Sequence, residues 1–305
     1  MRLLLLLLSM AGANLAAAPA TPACTDSCFS TILNDSGKPL IKEAQNASST
    51  IAQPKPLSTA LQYTGRSVEF PLTQKEIYAL ATERVLPRLS KQNSDWAIVL
   101  DIDDTVLNNY EYGRRTALSG KGYEPSTWDA WTKEKAAPAI PGAKEFLDKV
   151  RAFAKNHPEH KGRIVFITDR TNSQEKDTMD NMVVEGLFVT GVDILLTKKD
   201  KDKTDTKDVR RACVEKGNTG TDPRCKAFAP MTIVALIGDS SRDFFEFYGA
   251  AVYGKGRRDL ERCVDEGRCF IIPNPVYGQW QNQGAAGPYE KFKPFPAATP
   301  AAPKN

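Results

Sequence analysis

Histidine is almost absent from the 305-residue chain, which carries only His157 and His160. A zinc site would need cysteines near them, and no C-x₂-C spacing occurs among the six cysteines. The chain also lacks a strong charge of either sign. Its 41 Lys and Arg face 37 Asp and Glu, a formal net charge of +4. That excess is too small and dispersed for a dedicated binder of nucleic-acid polymers. Long hydrophobic runs are missing too. The longest unbroken one, residues 3–8, falls far short of the roughly 20 residues a bilayer span needs. No internal repeat is visible. What remains, 41% apolar and 26% charged residues, is ordinary globular composition, enough for one large domain or two modest ones.

The amino terminus carries a targeting pattern. Arg2 precedes the apolar residues 3–8, and Ala18-Pro19-Ala20 supplies small residues for cleavage. Residues 1–20 therefore read as an export signal cut after Ala20, which places the mature protein outside the cytoplasm, secreted or periplasmic. Cys24 offers a lesser alternative, a lipidated cysteine anchoring the chain to an outer membrane. Against it, Thr21-Pro22-Ala23 lacks the apolar residue usual three places before such a cysteine. The cysteines fall into local pairs, Cys24/Cys28, Cys213/Cys225 and Cys263/Cys269. An even count in an exported chain reads as disulfides, and neighbour pairing is expected although six cysteines allow 15 connectivities.

Residues 21–72 read as an irregular N-terminal extension, with Ser, Thr, Asn and Pro concentrated in 21–57. In residues 73–90, Ile77, Leu80, Ala81, Val85 and Leu89 share one helical face. Thr73 and Glu76 have capping-box spacing, and Pro87 should end or kink the helix. Residues 96–100 then form a continuous apolar run, the mark of a strand buried on both faces. Runs at 164–167, 192–196 and 232–237 repeat it, with a weaker fifth at 270–272. Helical segments are expected at 142–155, 174–186 and 206–216. Such alternation predicts an α/β fold, a parallel sheet covered by helices. Ligands of such sheets bind beyond the carboxyl ends of the strands. Residues 283–305, rich in Ala, Pro and Gly, read as a flexible tail.

Acids crowd those strand ends. The first strand runs into Asp101-Ile102-Asp103-Asp104-Thr105, the second into Thr168-Asp169-Arg170, the fourth into Gly238-Asp239-Ser240-Ser241-Arg242-Asp243. Converging carboxylates repel unless a cation holds them, and oxygen-only ligands suit a hard ion such as Mg²⁺. Asp101 and Asp103 lie two apart, so both can face the cleft while Ile102 points into packing. One carboxylate could attack phosphorus and the other could move protons. A lysine beside them would lessen repulsion from an anionic phosphate.

In order and spacing, DxDxT, hydrophobic-T-x-R and GDxxxD resemble the haloacid dehalogenase superfamily. Within it they resemble the class B and C acid phosphatases, most closely the class C bacterial lipoprotein type. The resemblance spans residues 73–282. It includes Trp128-Asp129-Ala130-Trp131 before Ala139-Ile140-Pro141-Gly142-Ala143, and Pro273-Asn274-Pro275-Val276-Tyr277-Gly278-Gln279-Trp280. It implies a Rossmann-like parallel sheet with helices on both faces and a smaller, mainly helical cap at about 106–140. It further implies a Mg²⁺-dependent phosphomonoesterase with nucleoside monophosphates among its substrates. By matching position, Asp101 is the expected nucleophile and Asp103 the acid/base, whose backbone carbonyl also meets the metal. Asp101, Asp239 and Asp243 supply the metal carboxylates, and Thr168 binds phosphate. Arg170 either contacts substrate or makes a structural ion pair, and Asp169 is given no role. Tyr277 is expected to stack on a substrate base.

Among the lysines of residues 198–211, Lys207 is the favoured partner of these acids. Lys207-Asp208-Val209-Arg210 fits the class C pattern of a lysine three residues before an arginine at a helix start, with Lys203 as a rival. In the cap, Tyr110, Tyr112, Tyr123, Trp128 and Trp131 could stack a base or an aryl group, while Trp128 and Trp131 are favoured as packing residues. His157 and His160 read as a solvated turn, and with no R-H-G motif they exclude a histidine acid phosphatase. A phosphotransferase using the same intermediate and a non-enzymatic storage or binding protein remain the alternatives. Whether the chain is a monomer or a homodimer is left open.

Overall fold

The computed structural model describes residues 56–246 and 255–282. The leader, Cys24, Cys28 and the tail therefore lie outside the described residues. All described residues belong to one compact unit.

Five strands form one wholly parallel sheet: β1 (Trp96–Leu100), β2 (Gly162–Thr171), β3 (Ile194–Lys198), β4 (Thr232–Gly238) and β5 (Cys269–Ile271). Their order is β3-β2-β1-β4-β5, with β1 paired to both β2 and β4. The chain moves outward from β1 to β3, then returns to the other side of β1. That reversal opens a crevice at the carboxyl ends of β1 and β4, where such sheets bind ligands.

Alternation along β1 sorts its side chains between two cores. Trp96, Ile98, Leu100 and Ile102 join Tyr78, Phe146 and Leu147 on one face. Ala97 and Val99 join Val165, Cys213 and Val214 on the other. The first face is covered by α2 (Glu69–Leu89) and α5 (Ala143–Asn156), the second by α7 (Lys207–Lys216). Asp101 has the parity of Ala97 and Val99, so the strand hands it to the side where α7 begins.

Several boundaries differ from the sequence-based expectation. Residues Thr59–Arg66, within the stretch read as irregular, form helix α1, capped by Ser58. Helix α2 starts at Glu69, so Thr73 is interior rather than a cap; Ser67 Oγ accepts from Phe70 N instead, at 3.1 Å. The buried stripe of α2 is Phe70, Gln74, Tyr78, Ala81, Val85 and Leu89. Leu80 falls outside it and is exposed. Pro87 stands two residues before the helix ends at Leu89. Strand β3 begins at Ile194 instead of residue 192. The cause is Asp193, whose carboxylate closes a turn by accepting from Val189 N and pairs with Arg151.

Between β1 and α5 lie α3 (Tyr110–Leu118) and α4 (Pro125–Glu134). At the start of α5, Gly142 has φ +88, and an added Cβ there would meet Tyr78 Cβ at 3.0 Å. Only glycine fits this close crossing. Helix α6 (Glu175–Val184) follows β2, and α8 (Arg257–Asp265) precedes β5. Two of the expected disulfides are present, Cys213–Cys225 and Cys263–Cys269, with Cα separations of 5.8 and 5.3 Å. No helix among the described residues is long and apolar enough to cross a membrane.

Candidate active site

The amide of Asp101 donates to Ile237 O of β4 at 3.0 Å, which fixes the first acid as β1 ends. Beyond it, Asp104 turns the chain with φ +53. Lys207, the first residue of α7, projects back to these acids. Its Nζ lies 2.5 Å from Asp101 Oδ1 and 2.5 Å from Asp243 Oδ1. All three side chains are buried, so the ammonium is a fixed charge between the ends of β1 and β4. Lys203 is exposed. Of the two candidates, Lys207 is the one among the acids.

Carboxylate oxygens of Asp101, Asp239 and Asp243 can be drawn from positions all within 4.8 Å of one another. Asn274 Nδ2 orients Asp239 by donating to its Oδ2 at 2.7 Å. Asp243 folds back so that its Oδ2 accepts from Ser240 N at 2.8 Å. Burial raises Asp101 to about 8 against the opposing Lys207 charge, with Asp243 and Asp103 adding to the rise. Burial, then the charges of Asp243 and Asp101, hold Asp239 well above the ordinary carboxylate range. With all three carboxyls ionised, the single ammonium would leave a negative excess, which a divalent cation taking the place of the bound protons would balance. The all-oxygen donor set fits a hard ion such as Mg²⁺.

Asp103 has a different environment. Its Oδ1 accepts from Arg170 Nη2 at 2.7 Å and Nε at 3.0 Å, while Oδ2 has, among the described residues, one contact, with Nε at 3.2 Å. The Arg170 side chain is almost fully buried. Its Nη1 donates to Thr178 Oγ1, and its guanidinium lies 5.4 Å from the Trp128 ring centroid. Of the two readings for Arg170, an ion pair is the contact it makes here. Thr168 is buried, and its Oγ1 accepts from Arg170 N at 3.1 Å. Tyr277 is partly exposed and donates its hydroxyl to Asp104 Oδ2.

Some contributors escaped sequence reasoning. Asp104 joins the cluster through Tyr277 and through Asn109 N, which donates to its Oδ1 at 2.9 Å. Asn109, Asn274 and Arg210 also act here, the last donating to Thr168 O and to Asp169 Oδ1. Asn274 lay in the C-terminal motif, Arg210 in the lysine motif, and Asp104 is the third acid of the first run. Trp131 packs, as favoured, but its indole also bonds Asn109. His157 is half-buried and stacks on Phe153. His160 lines a cleft of about 440 Å³ beside the amino ends of β1 and β2, so neither histidine belongs to this cluster.

Residues 31–280 match the family described as HAD superfamily, subfamily IIIB (acid phosphatase). Among solved structures, the chain is similar to the class C acid phosphatase from Bacillus anthracis. They share 25% identity over 73% of this chain and 85% of that one, with a TM-score of 0.59. A structure of the class C acid phosphatase from Bacillus anthracis with tungstate bound matches at 24% identity, over 78% and 96%, with a TM-score of 0.60. That second likeness is one of fold. With a family match across most of its length and acids gathered at the carboxyl end of a parallel sheet, the chain belongs to the haloacid dehalogenase superfamily, subfamily IIIB, and is an acid phosphatase, a hydrolase of phosphomonoesters.

Proposed function

We propose that this phosphatase is exported, depends on Mg²⁺ and works through an aspartyl-phosphate on Asp101, with nucleoside monophosphates among its substrates. The observation that carries the reading is the contact of Lys207 with Asp101 and Asp243.

A carboxylate oxygen of Asp101 attacks phosphorus, and the bond from phosphorus to the leaving oxygen breaks. Asp103 gives its proton to that oxygen. In the second half it takes a proton from water, whose oxygen attacks phosphorus, and phosphate leaves as the Asp101 carboxylate re-forms. Lys207 stays protonated, because the charges of Asp101, Asp243 and Asp169 outweigh the effect of burial. It thereby offsets the repulsion between nucleophile and phosphate. The Thr168 hydroxyl, which already accepts from Arg170 N, keeps its own hydrogen for a phosphoryl oxygen. Asp101, Asp239 and Asp243, with the Asp103 carbonyl, would hold Mg²⁺, which supplies charge neutralisation at the transferring phosphoryl group. Tyr277, partly exposed and tethered through its hydroxyl to Asp104, would offer its ring as a stacking face to a base.

Two disulfides among the described residues support an oxidising compartment, secreted or periplasmic. The test is a panel of phosphomonoesters, nucleoside monophosphates included, assayed with and without Mg²⁺ for the wild type and Asp101→Asn. The reading requires Mg²⁺-dependent hydrolysis that Asp101→Asn loses. Equal, metal-independent rates in both proteins would sink it. Alcohol added to the same assay reports phosphoryl transfer as a loss of free phosphate relative to released leaving group.

A further inference from the structure

A chain of three side chains runs from α4 to Asp103. Trp131, on α4, is buried and donates its indole Nε1–H to Asn109 Oδ1 at 2.8 Å. Asn109, also buried, donates Nδ2–H to Asp103 Oδ1 at 2.9 Å. Indole nitrogen is a donor only, so the amide oxygen must face Trp131 and the amide nitrogen must face Asp103. The orientation of the amide is thus set by chemistry. Its backbone is fixed as well, because Asn109 N donates to Asp104 Oδ1.

We propose that Asn109 and Trp131 are positioning residues for proton transfer by Asp103, an inference that rests on the acid role assigned to Asp103 above. Oδ1 of Asp103 is saturated by Asn109 Nδ2, Arg170 Nη2 and Arg170 Nε. Among the described residues, Oδ2 keeps a single, longer contact with Arg170 Nε, at 3.2 Å. The carboxyl group is therefore held with one oxygen committed to the protein and the other presented for the proton. Without Asn109 the group could pivot about the arginine and exchange the two oxygens. Trp131 acts one step further out, by preventing the amide from flipping and presenting its oxygen to a carboxylate.

Leaving-group chemistry separates this role from a merely structural one. An alkoxide leaving from a sugar or glycerol phosphate needs a proton as the bond to phosphorus breaks, whereas 4-nitrophenolate leaves without one. The experiment measures kcat/KM, which reports transfer to Asp101, for glycerol 2-phosphate and for 4-nitrophenyl phosphate in the full chain with Mg²⁺. The proteins are the wild type, Asn109→Ala, Trp131→Phe and Asp103→Asn. The ratio of the two values is independent of the fraction folded, so partial unfolding of a variant does not confuse the result. Asn109→Ala should lower the alkyl value at least about tenfold more than the aryl value, within the usual reach of acid catalysis. Trp131→Phe, which keeps the ring but loses the N–H, should shift the ratio the same way by a smaller factor. Equal losses on both substrates in Asn109→Ala and Trp131→Phe, with Asp103→Asn still showing the split, would overturn the positioning role alone. An unchanged ratio in Asp103→Asn would remove the acid role itself, and the proposal with it.

Discussion

The Asp243 side chain packs directly against Gly238: a Cβ added to Gly238 would lie 2.3 Å from both Asp243 Cβ and Asp243 Oδ2. The last residue of β4 must therefore be bare for the acid loop to fold back over its own strand. Gly238→Ala should displace Asp243 and with it one carboxylate of the proposed metal set. The expected result is loss of the Mg²⁺-induced rise in Tm that a bound ligand produces, together with loss of hydrolysis. Gly122→Ala, where an added Cβ meets nothing within 4 Å, serves as the control and should leave both unchanged. Retention of the Mg²⁺ effect in Gly238→Ala would contradict the placement of Asp243.

Lys207 answers to a separate measurement. Its Nζ meets an oxygen of Asp101 and an oxygen of Asp243 at hydrogen-bonding distance. Lys207→Ala should lower kcat/KM by about 10²–10³, the range seen when a fixed electrostatic donor is removed from an active site. Lys207→Arg should not restore it, because a planar guanidinium does not fit where a compact ammonium lies between two oxygens. Lys203→Ala should behave as the wild type. The reverse ranking of the two lysine-to-alanine variants would reassign the lysine.

Acid should loosen the loop that leads into α7. Hydrogen bonds from Arg224 hold Asp222 down at about 2. Burial works against Asp205, yet its bonds to Arg224 and Lys199 N and the Arg210 and Arg224 charges still hold it low. A carboxylate depressed in the folded state stabilises it fully above the unfolded value, near 4. That contribution is lost as pH falls towards 2, where the folded group also takes up its proton. The gap in Tm between wild type and Arg224→Met should therefore be wide at neutral pH and shrink as the pH is lowered from about 4 to 2. A gap that widens with acid would reverse the sign and refute the pairing.

Much of this arrangement was legible in the sequence because strand parity and strand burial are local properties. A five-residue apolar run followed by acids two apart already places Asp101 and Asp103 beyond a buried strand, and Ile102 is indeed in the core. The two cysteine pairs, Cys213–Cys225 starting on α7 and Cys263–Cys269 joining α8 to β5, follow from proximity in the chain. Helix α1 went unread because its eight residues bury only Leu61, too little to leave a periodic stripe. Spacing to Arg210 favours Lys207 but leaves Lys203 as a rival, since the choice depends on the turn that Asp205 closes by accepting from Lys199 N. Asp104 and Asn109 were invisible for a related reason. Their contacts rest on a positive φ and on partners as distant as Tyr277 and Trp131, which no local pattern encodes.

The central proposal is the covalent intermediate on Asp101, and the chemistry of an aspartyl-phosphate permits its direct capture. The enzyme is mixed with a phosphomonoester and Mg²⁺, quenched in acid within the first turnover and reduced with borohydride, which converts an aspartyl-phosphate to homoserine. Mass analysis of the peptide containing residue 101 should show homoserine at that position in the wild type and none in Asp101→Asn. Homoserine at another aspartate, or turnover of substrate with residue 101 unmodified in the wild type, would contradict the mechanism.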